Sequence, residues 1–477
     1  KVIFTAAALL SGAVFFAQND SGVYQTGTDN DALVVQVGAN DSEIVQIGTE
    51  NEAVTGQLGW NDSEVYQEGQ RNRSDVLQVG WNDSEVVQIG RDNESAVLQL
   101  GGSSSVVTQR GRENSSMVFQ AGFGNDSEVY QEGRRNDSDV SQVGNDNTSS
   151  VGQIGNDNMS LVDQFGDRNN ANVWQDGNRN DSEVYQDGND NDAFVSQEGN
   201  DNSSYVNQDG NGNFADVWQS GNFNDSEVYQ DGNGNTATVG QLGFGNYSYV
   251  DQDGNGNNSD VWQDGIGNES YINQHGDFNR ATVGQEGIAN ISDVHQDGAF
   301  NEASVWQEGI ANISEIMQNG GGNNSEVFQS GIANYNEIDQ DGLGNNAEIA
   351  QIGIGNESYT HQFGVLNINE VYQEGIGNDS HVDQFGIGNN SEVLQIGIGN
   401  TSYVDQFGLL NDSYVAQVGM FNDSDVYQEG TLNESEVYQE GLLNYSLVDQ
   451  NGIGNMSAVY QEGALNNSIV DQEGNSN

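Results

Sequence analysis

NDSEVYQEG occupies residues 61–69 and recurs letter for letter at 125–133, with NDSEVYQDG at 180–188 and 224–232. Carboxylates, two amides and a serine surround one valine and one tyrosine, a composition that alone reads as loop. The register of the string along the chain says otherwise. Glutamines followed two residues later by glycine begin at Gln25, Gln36, Gln46 and Gln57 and run to Gln472, 42 in all. From Gln109 onward they are 11 residues apart; before it the spacing alternates between 11 and 10. Counting back from each Gln, position −6 is Asn, −4 is Ser or Ala, and −2 is Val or Ile. The departures are Ser103 at −6, Asn336 and Asn369 at −4, and Thr55 and Thr360 at −2.

Positions of equal parity on an extended strand point to one side. Asn61, Ser63, Val65 and Gln67 therefore share a face, as do Asn125, Ser127, Val129, Gln131 and Asn191, Ala193, Val195, Gln197. The intervening Asp, Glu, Tyr and Trp form the wet face. Gly69, Gly133 and Gly199 open a tight arc to the next Asn, since Gly and Asn tolerate the backbone of a sharp reversal. Each unit is one strand plus one arc.

Features recurring at twice the unit give the coil. The shortened arcs follow Gln36, Gln57, Gln78 and Gln99, every second unit, and Trp174, Trp218, Trp262 and Trp306 are 44 residues apart. At −1, odd-numbered strands carry 11 aromatics in 21 and no Asp; even-numbered strands carry 4 aromatics and 7 Asp. The predicted fold is an all-β solenoid of about 21 two-strand coils, each of 21–22 residues, whose two parallel in-register sheets are cross-β and amyloid-like. At about 4.7–4.9 Å per coil it extends on the order of 100 Å.

A buried amide left unpaired costs roughly 1–3 kcal/mol, but stacked over its own copy it donates and accepts along the axis. Each buried Val or Ile adds roughly 1.5–3 kcal/mol. The small Ser/Ala position lets the sheets close, with the serine hydroxyls expected to form a ladder of their own.

Composition agrees once this is seen. A formal charge of −62 and 34% hydrophobic residues resemble a disordered chain, yet there is no proline, where average usage gives roughly 24. Sheets whose strands are all internal forbid it. Residues 1–17, KVIFTAAALLSGAVFFA, differ from the rest and read as a secretory signal without its initiator Met, cleaved after Ala13 or Ala17; the alternative is a buried first strand. Residues 18–477 then form a single repeat domain, predicted to be exported through the periplasm to the cell surface or beyond. No other segment could span a bilayer. With no cysteine, neither disulfides nor thiolate metal sites hold it together.

Asn191-x-Ala193-x3-Gln197-x-Gly199-x2-Asn202 resembles the curlin repeat of curli-type bacterial functional amyloid, and the resemblance covers about residues 19–477. It implies an extracellular subunit that polymerises into biofilm-matrix fibres, leaves through a dedicated outer-membrane pore, and is often seeded by a minor nucleator subunit. The chain departs from the usual pattern, which has Ser where Asn dominates here at −6 and Ala where Ser dominates at −4. It also lacks the Gly-rich segment many curlins carry between signal and repeats.

Polymerisation is expected from the residues too. Monomeric solenoids end in atypical capping repeats and block their edges. Here the first unit, with Asn19, Val23 and Gln25, and the last, with Asn466, Val470 and Gln472, obey the consensus. Both ends then read as open templates, and a head-to-tail contact that does not close makes a filament.

Two outward features have alternative readings. Asp and Glu at −5, −3 and +1 recur in columns where like charges oppose. They either keep the chain soluble and fibres apart or gate assembly through protons or divalent cations. The Trp series alternates with Gly152, Ser196, Gly240 and Gly284, a texture suited to lateral fibre packing or to gripping sugar rings; otherwise it is inherited from duplication of a 44-residue block.

No enzyme is expected. The best irregularity, GGSSSVVTQRGRE at 101–113, supplies no convergent acid/base set, and His275, His295, His361 and His381 read as solvated and scattered over several coils. Asp209-x-Asn211-x-Asn213 mimics an EF-hand start, but Phe214 stands at the required Gly. No cofactor is expected, the charge opposes nucleic acid, and the Asn-x-Ser triplets are by-products of the repeat. The competing function is a monomeric adhesin-like or ligand-binding solenoid working through its aromatic and acidic outward face.

Overall fold

The computed structural model describes residues 18–475, so the expected leader lies outside the described residues. Every regular element among them is a strand, 40 in all. They begin β1 (Asp20–Thr28), β2 (Asp31–Gly38), β3 (Asp41–Thr49), β4 (Glu52–Gly59) and β5 (Asp62–Gln70) and end β39 (Met456–Ala464) and β40 (Asn467–Asn475). All hold one repeat unit except β8 (Glu94–Arg112) and β9 (Ser115–Arg134), which run on through an arc and hold two, so 42 units are accounted for.

The chain divides into two compact units, one ending at Asn172 and one beginning at Val173, built alike. In the first, β1 pairs with β3 and β3 with β5, while β2 pairs with β4, all parallel. In the second, β14 (Asp181–Asn189) pairs with β16 (Ser203–Asn211), and β15 (Asp192–Asn200) with β17 (Phe214–Asn222). Each repeat unit pairs with the unit two along, so two units make one coil and each sheet collects alternate units; the double-length β8 and β9 for that reason also pair with their sequence neighbours. Like residues meet across coils: Ser42 with Ser63, Gln46 with Gln67, Gly48 with Gly69. The solenoid expected from the repeat is the observed fold.

The arcs explain the spacing. A full arc runs Gly, one free residue, one residue of positive φ, then Asn; Arg71, at φ 56, stands between Gln70 and Asn72. The shortened arcs omit the positive-φ residue, as in Gly59-Trp60-Asn61. The coil lengthens by one residue where β8 lies on β9. Glu94 pairs with Ser115 and Gly102 with Phe123, but Ser104 pairs with Asp126 and Arg112 with Arg134, and a bulge separates Gly102 from Ser104. The extra residue is Gly124, at φ 72. The irregular 101–113 stretch thus holds the last shortened arc, and the lengthened arc, residues 122–125, stacks on it.

The arc glycines do two jobs. Gly69, Gly133 and Gly199 have φ of 123, 125 and 117, closed to ordinary side chains, and a Cβ on each would collide with the carbonyl oxygen of the arc glycine in the next coil. Close arc stacking therefore demands glycine independently of the turn.

Candidate functional site

The stacking surface is the inward rung. Asn61, Ser63, Val65, Gln67, Asn125, Ser127, Val129, Gln131, Asn191, Ala193, Val195 and Gln197 are all buried. Gln67 Nε2 donates 2.8 Å to Gln88 Oε1, and Gln67 Oε1 accepts 2.8 Å from Gln46. The second N–H of Gln67 crosses the core to the carbonyl of Glu52, 2.9 Å away. Gln131 and Gln197 reach the carbonyls of Ser115 and Asp181 likewise, at 2.7 and 2.8 Å. The glutamine column thus ties coil to coil and sheet to sheet.

The asparagine column works differently from a self-satisfying amide stack. Asn61 Oδ1 accepts the backbone N–H of Asn82 at 3.0 Å as well as its side-chain N–H at 2.9 Å. The side-chain N–H groups also reach the arc: Asn125 Nδ2 donates 2.9 Å to the carbonyl of Gly144 and Asn191 Nδ2 donates 3.0 Å to that of Gly210, while the amide-to-amide bond recurs at Asn334, whose Nδ2 donates 3.1 Å to Asn312 Oδ1. Asparagine thereby stitches arcs together. The two columns also run in opposite senses, glutamine amides donating toward higher-numbered coils and asparagine oxygens accepting from them.

The expected serine ladder is absent along most of the column. The buried hydroxyls of Ser63, Ser127, Ser182 and Ser226, among others, have no partner. Coil spacing is the cause: at about 4.8 Å it exceeds the reach of one hydroxyl to its copy, whereas a carboxamide carries donor and acceptor on separate atoms. Ser457 and Ser435, 3.4 Å apart near the C-terminal end, come nearest to it. Two rung departures compensate each other, since Asn369 Nδ2 donates 2.7 Å to Thr360 Oγ1 across the core.

In the outermost described coils, Asn19, Val23 and Gln25 are exposed, and Asn466, Val470 and Gln472 are half-buried. They keep the rung pattern: Gln25 Nε2 donates 2.7 Å to Gln46, and Gln450 Nε2 donates 2.8 Å to Gln472.

On the outward face, Trp218, Gly240, Trp262, Gly284 and Trp306 follow one another in register. The indoles lie over the glycines. A Cβ on Gly240 would meet the ring of Trp262, one on Gly284 would meet that of Trp306, and Trp218 stacks on Trp262 at 5.9 Å and 11°. The alternation is a packed stripe; Trp174, 43% exposed, carries the same position two coils earlier. The acidic columns are real as well: Asp41, Asp62 and Asp83 align, as do Glu43, Glu64 and Glu85. Burial and these like-charged neighbours raise the pKa of Asp62 and Glu64.

The arcs carry ladders that the repeat consensus conceals. Asn189, Asn211, Asn233 and Asn255 hydrogen-bond in series at 2.9–3.0 Å, and Asn255 Nδ2 ends on Asp277 Oδ1 at 2.8 Å. Asn211 of the EF-hand-like string is therefore a ladder residue. From Ile266 the opposite arcs turn apolar, Ile288, Ile310, Ile332, Ile354, Ile376 and Ile398 stacking in register and exposed. Both series become visible when the sequence is written one coil per line.

The histidines require a correction, for two of them converge. His361 lies at −1 of β30 (Glu357–Val365); His381 and Asp383 lie at −3 and −1 of β32 (Asp379–Ile387), the next coil of the same sheet. Asp383 Oδ1 is 2.8 Å from His361 Nδ1 and 3.3 Å from His381 Nε2. These hydrogen bonds hold both imidazoles above their ordinary pKa against the opposing effect of burial. His275 and His295 also pack ring to ring, at 5.5 Å.

Among known proteins, the Curlin associated repeat family model matches eight overlapping windows within residues 106–265: 106–133, 133–166, 155–188, 166–199, 188–221, 199–232, 210–243 and 232–265. No curated protein matches the chain. No helix long and apolar enough to cross a membrane occurs among the described residues. The matched windows, within residues 106–265, are similar to the curlin repeat, and the strands before and after them have the same rungs, arcs and two-strand coils.

Proposed function

We propose that the chain is a secreted structural subunit, without catalytic activity, that assembles head to tail into extracellular curli-like fibres of the biofilm matrix. One observation carries this reading: within each compact unit, coil meets coil through the same parallel register and the same Gln and Asn bonds. A coil of a second copy offers the same partners, so nothing in the contact distinguishes continuation of one chain from addition of another. The curlin-repeat family supports the location and the fibre. Passage through an outer-membrane pore and seeding by a nucleator subunit are part of the same proposal.

Electron microscopy and fibre diffraction of the purified chain test it. Fibres with the two cross-β spacings, about 4.7–4.8 Å between strands and about 10 Å between sheets, are expected. Val470→Pro and Gln472→Lys, which interrupt the last rung, should slow seeded elongation. A chain that stays monomeric at high concentration and low pH overturns the reading.

A second reading, a monomeric ligand-binding or adhesin-like solenoid, is favoured by the continuous Trp218 to Trp306 stripe, a flat aromatic platform of the kind sugar rings stack on. Sedimentation separates the two.

A further inference from the structure

His361, His381 and Asp383 each offer one ligand atom, and these atoms lie within 4.8 Å of one another. No other such group of His, Cys, Asp or Glu occurs among the described residues, although the chain is crowded with carboxylates. The arrangement follows from the coil. Asp339, His361, Asp383 and Asp405 form one outward column, and Tyr359, His381 and Tyr403 form the column beside it. Aromatic rings flank the cluster on two sides. His381 packs between Tyr359 and Tyr403 at 5.9 and 5.8 Å, and Phe363, Phe385 and Phe407 stack at 5.0 Å intervals in the column beyond Asp383. The three polar groups are each only about a quarter exposed, at 24–29%.

We propose that His361, His381 and Asp383 bind one divalent transition metal of the Zn²⁺ and Cu²⁺ class, which clips two successive coils together on the outward face. The donor set argues the metal. Two imidazoles and one carboxylate suit zinc, copper or nickel, whereas calcium and magnesium require cages of oxygen. The separations suit an ion held about 2.0–2.2 Å from each ligand after small side-chain rotations, with a further position for water. Metal takes the place of the contacts to Asp383 Oδ1: an imidazolium gives one proton to solvent as it binds, and a neutral imidazole binds through its unprotonated nitrogen and keeps its N–H on the other. Glu337 Oε1 lies 3.9 Å from His361 Nε2, beyond hydrogen-bond distance, and a side-chain rotation would bring it to the far nitrogen, where carboxylates stand behind metal-bound histidines. The strongly acidic surface raises the local concentration of any dication, so affinity for carboxylates has to be separated from affinity for this site.

Calorimetric titration of the full chain with ZnCl₂ in excess CaCl₂ makes that separation. One tight zinc equivalent per chain is expected to survive calcium; in H361Q/H381Q it should weaken by more than about 100-fold, beyond what loss of an outer-shell partner causes. H275Q/H295Q should bind as the unmodified chain does. All these side chains face outward, so the rungs stay intact, and the unmodified chain gives an independent reading through the visible absorption of bound Co²⁺ and nitrogen coupling in the spectrum of bound Cu²⁺. Zinc fully displaced by calcium, unchanged zinc binding in H361Q/H381Q, or a Cu²⁺ spectrum without nitrogen coupling overturns the proposal. None of these readouts depends on fibre formation.

Discussion

At a coil spacing of about 4.8 Å, a side chain that bonds its own copy has to span more than one hydrogen bond. Gln does so from coil to coil within each compact unit, and its second N–H fastens the opposite sheet. Ser does not, which leaves a column of buried hydroxyls in a position that Ala fills equally well elsewhere, at Ala193 and Ala215. Ser226→Ala should therefore be neutral or stabilising by about 1 kcal/mol, the cost of a buried hydroxyl without a partner, in denaturant unfolding. A loss of about 2 kcal/mol or more would show a bond that the serine makes after all. Thr360 gives the opposite lesson. Valine is the consensus at its position, yet Thr360→Val strands the amide of Asn369 and should cost about 1–3 kcal/mol. Adding Asn369→Ser should recover much of it, and additive losses in the double-mutant cycle would refute the coupling.

The arc sets how strands connect, and there the demands on sequence are unequal. Gly199 meets both a positive φ and the neighbouring carbonyl, so Gly199→Ala should cost at least about 3 kcal/mol or prevent folding. Two residues past an equivalent glycine, Ala311 sits at φ 56 with its N–H bonded to Ile288. Glycine there should gain about 0.5–1 kcal/mol, the left-handed strain relieved less the extra freedom of the unfolded chain; a loss in the unfolding midpoint would mean the methyl packs usefully. Period, inward rung and arc glycine are legible in the sequence because each is written 42 times with few exceptions, and the two-strand coil because it is written 21 times. What is not legible is whatever one coil writes once. His361 and Asp383 stand one coil apart on the same column and are therefore neighbours, but the convergence of His381 on them depends on side-chain direction across two columns. The serine column misleads for another reason: sequence shows that like residues stack, not whether their atoms reach.

Over the whole molecule charge outweighs everything else, −62 at pH 7, arranged in aligned columns. Burial raises the pKa of Asp181, Asp225, Asp379 and Asp423, with help from neighbouring carboxylates, and burial followed by Asp83 and Asp41 raises that of Asp62. A carboxyl whose folded pKa lies above its unfolded value holds its proton more tightly when folded. Its ionisation then destabilises the fold fully above the folded pKa, and the penalty is relieved as pH falls toward the unfolded value. Asp92 and Asp201, drawn below the ordinary range by hydrogen bonds from Arg71 and Arg179, act in the other direction, but lose their contribution only below the unfolded carboxylate pKa, about 3.9. Thermal unfolding should therefore shift upward between pH 7 and about pH 4, the reverse of ordinary acid denaturation, and the gain should shrink in high salt, which screens the exposed columns. A melting temperature that falls steadily over that range would show that carboxylates stabilised by their partners outweigh those crowded by their neighbours. If it rises, acid relieves a repulsion that every coil added to the stack repeats, and the same pH change should shorten the lag of assembly.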